Sequence, residues 1–297
     1  MPELRANLIL LVLGAIWGGS FLFMKIAAPE FGVYALVEVR TLLATVVLLP
    51  FLIRAGNWRD MFTLWRPIVA VGAANTAIPF VLFNYSSLHL DSGVNAILNA
   101  TAPMFGAIVA VVWLKDRLNF TRLMGLVFGF GGVILISYHK VGNDISLLPI
   151  VTALCATLGY GIAASMMKKW LSGKGALAIA TGSQLYSSLM LLPFALFTWP
   201  EAAISTQAWW SATALAVFGT GIAYLMYFYL IANVGPTRAI SVAYLVPLFG
   251  VIWGALFLSE SLSLAVVSGG GLILLGVALT SGTLRVPERL KQMFASR

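Results

Sequence analysis

Two opposite charges sit two residues apart inside an otherwise apolar run: Glu38 and Arg40 in Gly32–Ile53. If that run is a membrane helix, Arg40 lies about eight residues into it, roughly 12 Å along the axis. A charge at such depth costs on the order of 3 kcal/mol on insertion scales, so it faces the interior of a bundle and finds a partner there. Two chemistries fit. Arg40 can meet the carboxylate of a small substrate, with Glu38 relaying a proton. Alternatively, Lys25, Glu38 and Arg40 form an ion network that locks the first two helices together. Residues two apart point to different sides of a helix, so Glu38 and Arg40 need not share a partner.

Aromatic and amide side chains surround this pair in the sequence. Trp17, Phe80, Tyr160, Tyr224, Tyr227 and Tyr244 all fall inside apolar runs, and Tyr224, Tyr227 and Phe228 share a helix face at spacings i, i+3, i+4. Aromatic faces suit an aromatic or cationic ligand, and they serve helix packing equally well. Asn75, Asn99 and Gln184 carry amides that lipid would leave unsatisfied; they face a cavity or bond between helices. Pro79, Pro103 and Pro247 each free a backbone carbonyl, which makes them candidate kinks or hinges.

Other chemistries find little support. Hydrolysis needs a nucleophile and a base at membrane depth. His89 and His139 sit at the edges of the apolar runs and carboxylates are scarce, so an intramembrane enzyme is the weakest reading and no catalytic residue is expected. The same two histidines make a metal centre unexpected. The single Cys155 forms neither an internal disulfide nor a metal cluster. The absence of a Gly-x-x-x-x-Gly-Lys-Ser/Thr loop removes ATP as a direct energy source. No cofactor is expected.

The elements that must position these residues follow from composition. Of 297 residues, 60% are hydrophobic and 9% charged, with a mean hydropathy of +0.96. A soluble domain carries about 25% charged residues; this chain cannot cover a water-facing surface of ordinary size. Ten apolar runs are close to the roughly 20 residues that cross a bilayer as a helix. They are Ala6–Met24, Gly32–Ile53, Pro67–Leu88, Ser92–Leu114, Leu123–Tyr138, Ile145–Met167, Gly175–Trp199, Trp209–Asn233, Ala239–Ser259 and Leu262–Leu284. The first has no small-residue cleavage site after it and reads as a helix rather than a signal peptide. The ten-residue alternation of membrane strands is absent. The fold class expected is all-α and integral to the membrane.

Charge sets the orientation. Arg5, Arg54, Arg59, Arg66, Lys115, Arg117, Arg122, Lys168, Lys169, Lys174, Arg238, Arg285, Arg289, Lys291 and Arg297 fall on one face, leaving only Lys25, Arg40 and Lys140 of the 18 basic residues. By the positive-inside rule both termini are expected in the cytoplasm, with the chain in a bacterial inner membrane. The net charge of +8 is explained in the same way. A basic stripe with interleaved aromatics is missing, so no nucleic-acid partner is expected. Expected partners are a small-molecule substrate and membrane lipid, and the expected state is a monomer.

A shift of 144 residues aligns the chain with itself. Ala102–Ser137 then matches Val246–Ser281 without a gap, pairing Pro103 with Pro247, Gly106 with Gly250, Gly125 with Gly269, Gly132 with Gly276, and the acids Asp116 and Glu260. The same shift pairs Tyr85 with Tyr229. Two five-helix repeats are expected, residues 1–140 and 141–285, followed by a short basic tail at 286–297. Five is odd, so the second repeat lies upside-down relative to the first. Inverted repeats are a signature of alternating-access carriers, with a site near the midplane between the halves.

Trp17-Gly18, the Ala-x-x-Pro-type entry to spans four and nine, the acid after each of those spans, and Gly-x(6)-Gly in the helix that follows complete a pattern. It resembles the drug/metabolite transporter superfamily, in particular its EamA-type members with two five-helix repeats. The chain as a whole also resembles the bacterial aromatic amino-acid exporters of the YddG type. It departs from the usual pattern at Lys115-Asp116-Arg117, where small-residue-then-Glu is common. The resemblance implies a basket-like bundle with a central cavity, export of aromatic amino acids with methionine as a further cargo, and no prosthetic group. Within the same superfamily, a carrier of anionic sugars, nucleotides or cationic drugs is the alternative.

Overall fold

A computed structural model describes residues 2–141 and 146–284. Asp144 and the basic tail expected at 286–297, with Arg285, lie outside the described residues. All regular structure among the described residues is helical. That follows from the medium. A backbone surrounded by lipid must satisfy its hydrogen bonds within its own segment, which a helix does.

Eight helices are long and apolar enough to cross a membrane. The first, Glu3–Arg54, is two spans. Gly32 breaks it with φ 71° and ψ −179°, and a Cβ would be strained at that φ. The chain therefore turns back there, giving span one (residues 2–31) and span two (33–54). Then come span three (Trp65–His89), four (Ser92–Leu114), five (Phe120–Val141), six (Leu148–Trp170), seven (Ala176–Phe197), eight (Thr206–Val234) and nine (Arg238–Leu258). Span ten, Leu264–Thr280, is shorter and still apolar.

The repeat seen in the sequence is a repeat of backbone geometry. Spans three and eight each contain a π-helical turn, at Ala73–Ala77 and Val217–Ile222, at positions 144 residues apart. Spans four and nine each end on a left-handed residue, Lys115 (φ 57°) and Ser259 (φ 55°). Spans five and ten each start behind a capping side chain. Asn119 Oδ1 accepts from the Arg122 N–H at 2.9 Å, and Ser263 Oγ accepts from the Val266 N–H at 3.2 Å. Side-chain caps at these positions satisfy otherwise orphaned helix donors.

Glycine explains how the repeats interlock. Spans five and ten cross at two places. At one, a Cβ on Gly125 would lie 2.7 Å from the Gly276 carbonyl oxygen; at the other, a Cβ on Gly132 would collide with the Gly269 carbonyl oxygen. Each glycine of the Gly-x(6)-Gly motif in one repeat thus meets the non-equivalent glycine of the other. Small residues let helix backbones approach closely in lipid. Trp65, Trp199, Trp209 and Trp210 are exposed at span ends, where an amphipathic ring is stable at the membrane–water interface.

Candidate functional site

A cavity of about 560 Å³ lies between the two repeats. Arg40, Phe80 and Tyr160 line it, together with Trp17, Tyr224 and Tyr227. So do the amides Asn75 and Asn99. Three sequence candidates are placed elsewhere. Glu38 is buried against span seven, Gln184 is fully buried, and Tyr244 turns to span ten, where its hydroxyl lies 2.8 Å from Ser281 Oγ.

Arg40 forms the closed end of the cavity. It is only 7% exposed. Its Nε donates to Thr220 Oγ1 at 2.9 Å. Thr220 lies in the π-helical turn, and its hydroxyl proton is turned away from Arg40, donated to the Leu215 carbonyl at 3.1 Å. The guanidinium carbon lies 3.5 Å from the centroid of the Phe80 ring, a cation–π contact. One terminal nitrogen faces the Met24 sulfur at 4.0 Å. Among the described residues no carboxylate comes within ion-pairing distance of Arg40. A guanidinium has five N–H donors, so most of its donor capacity is left for something that enters the cavity.

Glu38 does not neutralise Arg40. Its Oε1 accepts from Ser188 Oγ at 2.5 Å, and its Oε2 is buried without a partner among the described residues. The ion network imagined between Lys25, Glu38 and Arg40 is not formed. Span two is tied instead to spans seven and eight, through Ser188 and Thr220. The sequence reading missed Thr220. The signal was available, since the 144-residue shift pairs it with Thr76, but a lone threonine in an apolar run carries no mark of its own.

The walls are aromatic and tiered. Trp17 meets Tyr227 with ring centroids 5.4 Å apart. Tyr160 stacks on Phe83 at 6.1 Å, and Tyr224 on Phe228 at 5.9 Å. The Asn75 amide donates to the Tyr224 hydroxyl at 3.4 Å. Pro103 lines the cavity where span four is interrupted at Ala100–Thr101. Pro79 follows the π-helical turn of span three and packs under Gly159, where a Cβ would lie 3.0 Å from its ring. Pro247 lies inside an uninterrupted helix, Val242–Leu258.

Repeat symmetry tells which way the cavity faces. Met167, Ala176, Ile179 and Ala180 line it, all near the face that carries Lys168, Lys169 and Lys174. The repeat counterparts of Ile179 and Ala180 are Ala35 and Leu36, and both are fully buried. The cavity therefore reaches toward the basic face and is sealed at the opposite one. Side-chain clasps hold that sealed face. Glu260 accepts from the Ser92 N–H at 2.6 Å, the Ser92 hydroxyl at 3.0 Å and the Gly93 N–H at 3.0 Å. Glu30 accepts from the Ser205 N–H at 2.6 Å and its hydroxyl at 2.7 Å. Lys140 pairs with Asp91, and Phe31 meets Trp209 edge-on at 4.9 Å.

Comparison with known proteins adds the following. A model of the EamA-like transporter family matches residues 4–138 and 147–282, once per repeat. An uncharacterized transporter of Archaeoglobus fulgidus is 24% identical over 88% of this chain and 93% of its own. A probable terminal-alkyne amino-acid exporter of Streptantibioticus cattleyicolor is 24% identical over 89% of each chain. Protein PecM of Dickeya dadantii is 26% identical over 86% of this chain and 84% of its own. One solved crystal structure superposes with a TM-score of 0.66 at 15% identity, covering 94% of this chain and 97% of the other; that likeness concerns the fold.

Proposed function

Because the chain belongs to the EamA-like transporter family, we propose that it is a secondary carrier that exports aromatic amino acids, and methionine with them, by alternating access. It is a multi-pass membrane transporter and not an enzyme. The observation that carries the substrate assignment is Arg40: a guanidinium with no carboxylate partner among the described residues, at the closed end of an aromatic cavity. The cargo carboxylate takes the free N–H groups in a charge-assisted pair. Its side chain lies among Trp17, Tyr227, Phe83 and Tyr160. A thioether suits the same walls, since sulfur packs well on aromatic edges.

The lining itself speaks against the alternatives. Polyanionic sugars and nucleotides want several cations, and among the described residues Arg40 is the one basic residue that lines the cavity. Cationic drugs want a carboxylate, and none among the described residues lines it. The name of the Streptantibioticus relative, an amino-acid exporter, fits the proposed class, as does the resemblance to exporters of the YddG type. The basic face is the cytoplasmic one by the positive-inside rule. That puts both termini in the cytoplasm of a bacterial cell and the protein in its inner membrane. The cavity then faces the compartment from which an exporter loads. Glu38, buried with one oxygen unpartnered among the described residues, is a group available to carry a coupling proton. The working unit is the monomer.

The test is counterflow in proteoliposomes loaded with unlabelled phenylalanine. Labelled phenylalanine is expected to accumulate transiently, with competition from tryptophan, tyrosine and methionine but not from glutamate or sugar phosphates. Folded protein that gives no accumulation overturns the amino-acid assignment.

A further inference from the structure

Gln184 is the repeat counterpart of Arg40, and Thr76 is the counterpart of Thr220. The geometry honours both pairings. Arg40, in the first repeat, donates to Thr220 in the second at 2.9 Å; Gln184, in the second, donates through Nε2 to Thr76 in the first at 3.5 Å. Both threonines sit in the π-helical turns Ala73–Ala77 and Val217–Ile222, a feature that recurs at functional sites.

The two pairs differ in surroundings. Arg40 and Thr220 line the cavity, whereas Gln184 and Thr76 are fully buried. The Gln184 Oε1 has no hydrogen-bond partner among the described residues. Leaving a buried amide oxygen unpaired is costly, which is poor design for a purely structural contact. It is sensible for a group that is satisfied only in another conformation.

We propose that Gln184 and Thr76 form a second, neutral half-site that holds the polar end of the cargo when the opposite face is open. In an inverted repeat, opening the other face amounts to the halves exchanging conformations about a fixed centre. Residues that line the cavity in both repeats mark that centre: Phe80 with Tyr224, Phe83 with Tyr227, Asn75 with Gly219. Around it the roles reverse. Ala35 and Leu36 become the mouth, Gln184 the floor, and Arg40 withdraws to the packed position. An amide suits an amino acid at this stage, because its N–H can donate to the carboxylate while its free Oε1 accepts from the ammonium group. The amide carries no charge, so it lacks the ion-pair attraction and the bidentate fork that the guanidinium offers the same carboxylate. The cargo is therefore gripped at the basic face and released at the other, with affinities differing by about tenfold. The cargo class rests on the reading under Proposed function; the exchange of floors does not.

Single-cysteine chains carrying Cys155→Ser test this in vesicles of both orientations, with a membrane-impermeant thiol reagent. Lys174→Cys, exposed on the basic face, reports which face is reached. Gln184→Cys is expected to react from the face opposite to Lys174→Cys, and phenylalanine supplied on that face to slow it several-fold. Thr76→Cys serves as a second reporter if removal of the amide prevents assembly. Reaction from the basic face alone, or from neither face, overturns the exchange of floors. Reaction that phenylalanine leaves unchanged, in a protein whose parent shows phenylalanine counterflow, overturns the half-site and spares the amino-acid assignment. In Gln184→Arg, the ratio of half-saturating phenylalanine between the two faces is expected to fall about tenfold; an unchanged ratio also overturns the half-site.

Discussion

The carboxylate of Glu260, in the turn between spans nine and ten, caps the amino end of span four through Ser92 and Gly93. Among the described residues the clasp has no twin on the basic face. There the acid is Asp116, one methylene shorter, and the counterpart of Ser92 is Pro236, which has no N–H to give. Asp116 instead lies 3.7 Å from Lys168. Two halves with one backbone plan are thus closed unequally. The face that can be clasped is the one found sealed.

Glu260→Ala is expected to loosen that seal. Three hydrogen bonds to a carboxylate at a helix N-terminus contribute about 1–3 kcal/mol. A cysteine placed at Ala35, buried on the sealed face, should react with an external thiol reagent about tenfold faster in the Glu260→Ala background. An unchanged rate would show that the clasp does not set the equilibrium.

Arg40→Gln is expected to weaken phenylalanine binding from the basic face by roughly ten- to a hundredfold, the loss of a charge-assisted pair. Arg40→Lys restores the charge but not the planar fork, and should recover only part of it. Binding measured by calorimetry on detergent-purified protein decides this. Equal affinities in all three proteins would remove Arg40 from the site.

Trp17→Ala breaks the contact with Tyr227 at 5.4 Å and should raise half-saturation for tryptophan and phenylalanine about tenfold, since aromatic pairs contribute roughly 1 kcal/mol beyond buried area. Alanine transport, measured in the same vesicles, should change far less. Equal losses for aromatic and aliphatic cargo would point to collapse of the cavity.

Glu38→Gln keeps the volume and a hydrogen bond to Ser188 while removing the exchangeable proton. If Glu38 carries the coupling proton, phenylalanine efflux in this variant is expected to lose its response to an imposed pH gradient while counterflow persists. Efflux that still follows the gradient would assign the proton elsewhere.

Gly276→Ala would place a Cβ 2.5 Å from the Gly125 carbonyl oxygen and 2.6 Å from the Gly129 Cα. Forced separation of packed backbones costs about 1–3 kcal/mol, read as a fall of several degrees in the thermal transition of the purified protein. Gly271→Ala, with nothing within 4 Å of its Cβ, is the control and should stay close to the parent.

Much of this was legible in the chain itself. Span positions follow from hydropathy because lipid imposes one rule on every residue it touches. The repeat was legible because Pro103 and Pro247, Gly106 and Gly250, Gly125 and Gly269, and Gly132 and Gly276 all align at one shift without a gap. Arg40 announced itself by the cost of its depth. Its partner did not. Thr220 lies 180 residues away, and a hydroxyl that donates to the Leu215 carbonyl of its own apolar helix leaves no trace in composition. Glu38 and Arg40 look like a pair on paper, yet two positions of a helix are about 200° apart, so they serve different neighbours. Gln184 was read as facing a cavity or bonding between helices, and the structure shows the second, a bond to Thr76; a linear pattern gives the amide but not the neighbour that meets it.

The glycine crossing of spans five and ten has a consequence for how the protein is made. Each crossing point draws one glycine from either repeat, so neither half can complete it alone. During synthesis the first five spans enter the bilayer with Gly125 and Gly132 unmatched and Arg40 still lacking Thr220. They must wait there until the second half has been translated. The same dependence makes the chain divisible. Two separately translated polypeptides, divided between spans five and six, carry complementary halves of the glycine crossing and of the Arg40–Thr220 pair and should find each other in one membrane.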